Sequence, residues 1–407
     1  MLFTKEKKRD LSPKQGIFSS AFVCYLFPFI VFGGYLLYCI LAKLMPHAQD
    51  YYLIHYLYTY DHGYISRGLV GEVISWFADT VSDDLTRWVM TGFSVLLMLG
   101  MSLCVGKAIC NVRFDKERLP IVLFVVVMIF MIPMPYKFYY MDMKLDKLVW
   151  ALTLFSVYIA DTKIGKWIVP FICTLATMVS PVFIFTNMIL ITIILLQEFY
   201  SNGFSAKNGI ICGITYMSII AVAIFAVVSE KWVGFESATE MADYYFARYA
   251  GEIDESTRES FNLWLVDYFL PFNEILSTVS NSFFKYWGMG TRTFLNIIFA
   301  IIPIYVLLGI FWKKTIKTEK NKFQKFIYFL CAISPVITIP LLVTSWELGR
   351  FLLNNILAQA GLVVYFVVKN QPAIVKTCNE VKMFGKKHLM LSIMVVLYLM
   401  CYVSAIF

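Results

Sequence analysis

The sequence predicts an all-α protein, a polytopic transmembrane helical bundle of about eleven spans in a single domain over residues 1–407. Three observations predict it. Hydrophobic residues make up 59% of the chain and charged residues 15%, against roughly 45–50% and about 25% in soluble domains. Apolar runs of about 20 residues recur, each long enough to cross roughly 30 Å of hydrocarbon. Lysines and arginines are also distributed unequally between alternate connecting segments, as they are in proteins with one face toward the cytoplasm.

Residues 1–16 are basic, with Lys5, Lys7, Lys8, Arg9 and Lys14. The apolar run that follows, about 17–44, is too long for the core of a signal peptide and lacks a small-residue cleavage site, so it is expected to remain as the first span. Further spans are expected near 85–107, 120–135, 147–161, 167–180, 181–197, 209–229, 292–312, 326–345, 351–368 and 388–407. Ser180-Pro181 interrupts the run at 167–197, which suits two short helices or one kinked helix, because proline cannot donate to the helical ladder.

With the N-terminus in the cytoplasm, 23 of the 35 Lys and Arg residues fall in inner segments and 12 in outer ones, while the acids favour the outer side. The net charge of +8 then belongs to a surface facing anionic lipid and not to a nucleic-acid groove. The lipid bilayer is the expected partner; nucleic acid is not. Two outer segments are long: a first loop at 46–84 and a large loop at 230–291. The large loop carries an amphipathic helical pattern over 236–249 and an interfacial one over 261–271. The nine cysteines fall in apolar runs or inner segments without a CxxC or Cys/His cluster, so neither a disulfide frame nor a zinc site is expected.

The distinctive polar groups fall on the outer side: Asp50, His55, Asp61, His62 and Arg67 in the first loop, Lys137, Asp142, Lys144 and Asp146 in the second, and Glu347 with Arg350 in the fifth. Ionisable groups at the ends of spans, among aromatic residues, are costly to keep and mark functional sites. Asp61 reads as a general base or as a turn residue within Asp61-His62-Gly63. Asp50 reads as the cap of the 51–60 run or as a second carboxylate. Arg67 precedes Gly68 and an amphipathic helical pattern. A guanidinium there suits a phosphate, or snorkels at the membrane edge. Arg350 could pair with Glu347 three residues earlier or act as a second phosphate ligand, with Lys137 and Lys144 on the rim. Asp142 and Asp146 make a weak divalent-ion signal. No metal box, Walker loop, nucleophile elbow or dinucleotide fingerprint is present, and no cofactor or metal is expected.

Tyr60-Asp61-His62-Gly63-Tyr64-Ile65-Ser66-Arg67-Gly68-Leu69 resembles an aromatic-acid-x-Gly-aromatic-x-x-Arg-Gly-Leu segment of bacterial multi-span enzymes of surface-polysaccharide assembly. These are the Wzy-type polysaccharide (O-antigen or capsule) polymerases and, more distantly, lipid-dependent glycosyltransferases of the GT-C fold. Trp346-Glu347-Leu348-Gly349-Arg350 is similar to their late acid-x-Gly-Arg segment, with Glu347 where aspartate is more familiar. The resemblance implies glycosyl transfer outside the bacterial cytoplasmic (inner) membrane, from a sugar on undecaprenyl (pyro)phosphate, with other proteins of polysaccharide assembly as candidate partners. It implies Asp61 as the base, with Asp50, His62 and Glu347 as further candidates for the chemistry, and Arg67 and Arg350 holding the departing phosphate. A flippase or exporter of the same lipid-linked saccharides is the other expectation.

Overall fold

The computed structural model describes residues 20–42, 53–65, 67–127, 145–229, 234–253, 255, 257–259, 265, 291–338, 348–395 and 397. Among these residues the fold is helical, without a strand. The one extended pairing is an isolated bridge between Val81 and Tyr249. The expected interfacial pattern at 261–271 and the run at 398–407 lie outside the described residues, apart from Leu265.

The helices are α1 (Ala21–Leu41), α2 (Ile54–Leu57), α3 (Leu69–Ser75), α4 (Asp83–Val112), α5 (Arg118–Val125), α6 (Asp146–Ile159), α7 (Gly165–Val179), α8 (Val182–Phe185), α9 (Met188–Ser201), α10 (Ala206–Ser229), α11 (Ala238–Phe246), α12 (Thr291–Thr318), α13 (Lys322–Ile333), α14 (Leu348–Val368) and α15 (Pro372–Lys387). Three stretches are long and apolar enough to cross a membrane among the described residues: Ala21–Leu41, Asp83–Val112 and Ala206–Phe225. Gly165–Val179, Met188–Ser201 and Leu353–Val368 are shorter apolar helices.

Local chemistry sets the ends. Ser20 accepts from the Phe22 N–H at the start of α1. Ser82 accepts from the Leu85 N–H, with Asp83 and Asp84 in the first turn of α4, where carboxylates favour the positive helix end. At Ser180 the chain turns extended (φ −158°, ψ 118°) and ends α7. The run at 167–197 is therefore broken, by Pro181 and the single turn of α8, from α9.

α4 is the spine, packed on α1 and on α6. Gly106 makes the α1 contact possible, since a Cβ there would lie 2.4 Å from the Tyr25 ring; small residues allow such close approach between apolar helices. α9 is buried nearly all round, with Met188, Ile189, Leu190, Ile191, Ile193, Ile194 and Leu195 in the core, as expected of a central helix. It contacts α6, α10, α13 and α14. Outward faces are equally apolar: Phe22, Ile30 and Leu37 on α1, and Met217, Ile220 and Ile224 on α10 are exposed. Exposed apolar area of this kind calls for an apolar surrounding, and several of these helices could span a bilayer.

The interior holds several polar contacts. Trp312 donates to Gln359 Oε1 at 2.6 Å, and Gln359 donates to the Cys331 carbonyl at 2.7 Å. Gln324 donates to Gln197 at 2.9 Å. Asp146 and Lys147, at the start of α6, are 4% and 1% exposed. Glu198 joins three helices or helix ends: its Oε1 accepts from Lys369 at 2.7 Å and from Tyr365 at 3.3 Å, and its Oε2 lies 3.5 Å from Lys166. Glu198→Gln is expected to destabilise the bundle by about 2 kcal/mol, below the ~3–5 kcal/mol of a fully buried pair because Lys369 keeps 35% of its side chain exposed. Unfolding in detergent measures it; an unchanged midpoint would reduce the cluster to a surface contact.

Candidate functional site

The first loop is built on three main-chain devices. Gly63 N–H donates to the Tyr60 carbonyl at 3.2 Å, closing a turn in which Gly63 takes φ 111°. Gly71 lets α3 lie directly on the backbone of residues 56–58: a Cβ there would sit 2.1 Å from the Tyr58 carbonyl oxygen. Glu72, on the same helix, accepts from the Tyr60 N–H at 2.8 Å and from the Trp76 indole at 3.1 Å.

The loop at 234–253 closes over this platform. Gly234 N–H donates to the His62 carbonyl at 2.9 Å. Val81 N–H donates to the Arg248 carbonyl at 2.7 Å, and Ala250 N–H donates back to Val81 at 2.9 Å. Arg248 donates to the Leu57 carbonyl and Tyr249 to Asp83. The Tyr245 hydroxyl donates to the Thr59 carbonyl at 3.2 Å.

Asp61 stands at the junction. It is exposed at its turn, and its Oδ2 accepts from the Thr59 hydroxyl at 2.8 Å and the Tyr244 hydroxyl at 3.3 Å. Burial, and then the negative charge of Asp61, push the Tyr244 phenol above its ordinary value. The phenol thus stays protonated, and able to donate, beyond the usual pH of about 10. His62 lies against Phe235 (4.6 Å between ring centres) and edge-on to Tyr244 (4.6 Å). The result is an accessible carboxylate with two hydroxyl donors, beside three aromatic rings. Both readings of Asp61 hold at once: it is a turn residue, and the turn presents its carboxylate.

Arg67 is placed differently. Its guanidinium Nη1 lies 3.4 Å from Nε2 of His55, which is 5% exposed. A guanidinium can only donate, so this contact uses the lone pair of that ring nitrogen. Arg67 has φ 70°, a left-handed conformation that costs a non-glycine residue roughly 1–2 kcal/mol. Arg67→Gly should therefore be more stable than Arg67→Ala by about 1 kcal/mol, although both lose the guanidinium. Thermal midpoints of the two variants test this, and equal midpoints would mean the backbone is not strained.

Compared with protein-family models, curated proteins and solved structures, the chain matches none.

Of the sequence-derived candidates, the structure brings Asp61 and His62 together with Tyr244 and Phe235 from the large loop. It sets Arg67 against His55. Arg350 lies in the first turn of α14. Asp50, Lys137, Lys144, Asp142 and Glu347 lie outside the described residues. The amphipathic helix expected at 236–249 is α11, and its aromatic face supplies Tyr244 and Tyr245. The sequence marks this segment only by its amphipathic pattern. The available signal was the adjacent Tyr244-Tyr245 pair on an amphipathic helix. Asp146, which the sequence places in the second outer loop, is buried at the start of α6 beside Lys147.

Proposed function

We propose that this chain is a membrane glycosyltransferase of the polysaccharide-polymerase kind, acting on undecaprenyl-(pyro)phosphate-linked sugars at the outer face of the bacterial cytoplasmic membrane. The reading takes about eleven spans, a cytoplasmic N-terminus and an outer position for both long loops. The observation that carries it is the exposed Asp61 carboxylate, held by Thr59 and Tyr244 beside the rings of His62, Phe235 and Tyr244. Aromatic faces suit a sugar, and a carboxylate within reach of an acceptor hydroxyl suits proton removal.

In this reaction Asp61 takes the proton of the acceptor hydroxyl. The acceptor oxygen bonds to the anomeric carbon of the donor as the bond from that carbon to the lipid phosphate breaks. The negative charge on the departing phosphate is met by cations, for which Arg67 and Arg350 are the candidates.

The test uses purified protein in vesicles with a labelled lipid-linked oligosaccharide. Longer saccharide on the lipid, lost in Asp61→Asn, supports the transferase. Movement of the label across the bilayer with no new glycosidic bond would make the protein an exporter. Full polymer length in both Arg67→Ala and Arg350→Ala would remove the arginines from the site.

A further inference from the structure

The far end of α4 frames a cavity that the proposed reaction does not use. Lys107 lies 24 residues beyond Asp83 on α4, about 36 Å along the axis at ~1.5 Å per residue. Asp83 is tied by Tyr249 to the Asp61 loops, so the two sites are separated by more than a hydrocarbon thickness of roughly 30 Å.

The cavity has a volume of about 210 Å³ and lies between α4, α6, α9 and α14. That exceeds the ~150 Å³ of a dry apolar cavity able to take benzene. Its wall is hydrocarbon, with Met101, Val105, Leu154, Leu190, Ile194 and Val364. Along α6 the lining runs from Trp150, which is fully buried, to Asp161 just past the helix, which is exposed. Trp150 therefore closes the inner end. Its indole N–H is already satisfied by Asn354 Oδ1 at 2.9 Å.

The open end is charged. Lys107 donates to the Tyr158 carbonyl at 2.7 Å and to Asp161 at 2.6 Å. Lys369, which also lines the cavity, donates to Glu198 at 2.7 Å. An ammonium has three N–H donors, so one remains on Lys107 and two on Lys369. Among the lining residues, Lys107 and Lys369 against Asp161 leave the mouth one positive charge in excess.

An occupant must match both parts: a flexible hydrocarbon chain in the pocket, and an anionic, acceptor-only group at the mouth. We infer that the cavity binds one acyl chain of an anionic phospholipid, with the phosphate at Lys107 and Lys369. The apolar outward faces of α1 and α10 already call for lipid neighbours, and a basic mouth between helices selects the acidic ones among them. Bound there, the lipid would tie α4, α6, α9 and α14 together from within.

The experiment places the 407-residue chain in bilayers of mixed phosphatidylglycerol and phosphatidylcholine and counts the lipids retained after detergent release, by native mass spectrometry. The wild-type protein is expected to hold one phosphatidylglycerol, with a retained ratio over phosphatidylcholine roughly tenfold above that of the bilayer, as two lysines facing an anionic head suggest. Val364→Phe, which fills the cavity, should lose that lipid without changing the melting midpoint in pure phosphatidylcholine. Lys107→Gln with Lys369→Gln should keep a lipid but lose the preference. Retention of no lipid by the wild type, retention of both lipids in the bilayer ratio, or an unchanged count in a folded Val364→Phe protein would each overturn the proposal. The wild-type ratio decides it even where a variant fails to fold. Transferase activity takes no part in the readout, so the outcome is independent of the reading of Asp61.

Discussion

Under the proposed function, replacing Asp61 with asparagine is expected to lower glycosyl transfer by about 10²–10⁴-fold, the range a positioned general base contributes, while the protein still folds. Asparagine keeps the shape and can still accept from Thr59 and Tyr244, so the turn at 60–63 stays closed. What it loses is the ability to take a proton. The two donors give an internal control. Tyr244→Phe removes a 3.3 Å contact at an exposed carboxylate, so its cost should be far smaller, about fivefold, equivalent to ~1 kcal/mol. The ordering Asp61→Asn well below Tyr244→Phe is what a base with positioning donors requires. Equal and small losses in both would reduce Asp61 to its turn role. Polymer length and single-turnover transfer, measured with unchanged melting midpoints, separate these cases.

Gly71→Ala is expected to be the most damaging small substitution in the first loop, at about 3 kcal/mol of stability. The added methyl would lie 2.1 Å from the Tyr58 carbonyl oxygen and 2.9 Å from both the Tyr56 carbonyl oxygen and the Tyr58 nitrogen. All three are main-chain atoms and cannot rotate away, so α3 must lift off residues 56–58. The Glu72 hydrogen bond to Tyr60 then lengthens and the turn that presents Asp61 is released. Gly92→Ala, within α4, meets nothing within 4 Å and should be neutral or stabilising by about 0.5–1 kcal/mol. The difference between the two alanines, read from unfolding in the same detergent, isolates the close approach from helix propensity. Similar midpoints would show that α3 is not seated on the loop.

Much of the helical layout was legible because apolar periodicity is local. Helices α1, α4, α6, α7, α9, α10, α12 and α14 all overlap runs that stand out in the sequence. The turn at Asp61-His62-Gly63 was legible for the same reason, since glycine and aspartate carry their turn chemistry within four residues. The partners of Asp61 were not. Tyr244 meets it across 183 residues, and no periodicity links two such segments. Burial of charge was also hidden. Glu198 follows Gln197 at the end of an apolar run, next to lysine-bearing loops, and reads there as a polar boundary. The fold instead places it among Lys166, Tyr365 and Lys369. Asp146 was hidden in the same way, because a charge at a helix start looks exposed until a neighbouring helix covers it.

The pairing of Val81 with Arg248 and Ala250 sets an order on biosynthesis. A nascent chain carries Asp61 and its Thr59 donor early, but acquires the Tyr244 donor and the closing backbone pair only once residue 250 has left the ribosome, with more than half of the 407 residues made. Until then four or more apolar helices must already be housed while the Asp61 loop waits open. Chains released before that point would keep the Asp61 turn without its Tyr244 donor.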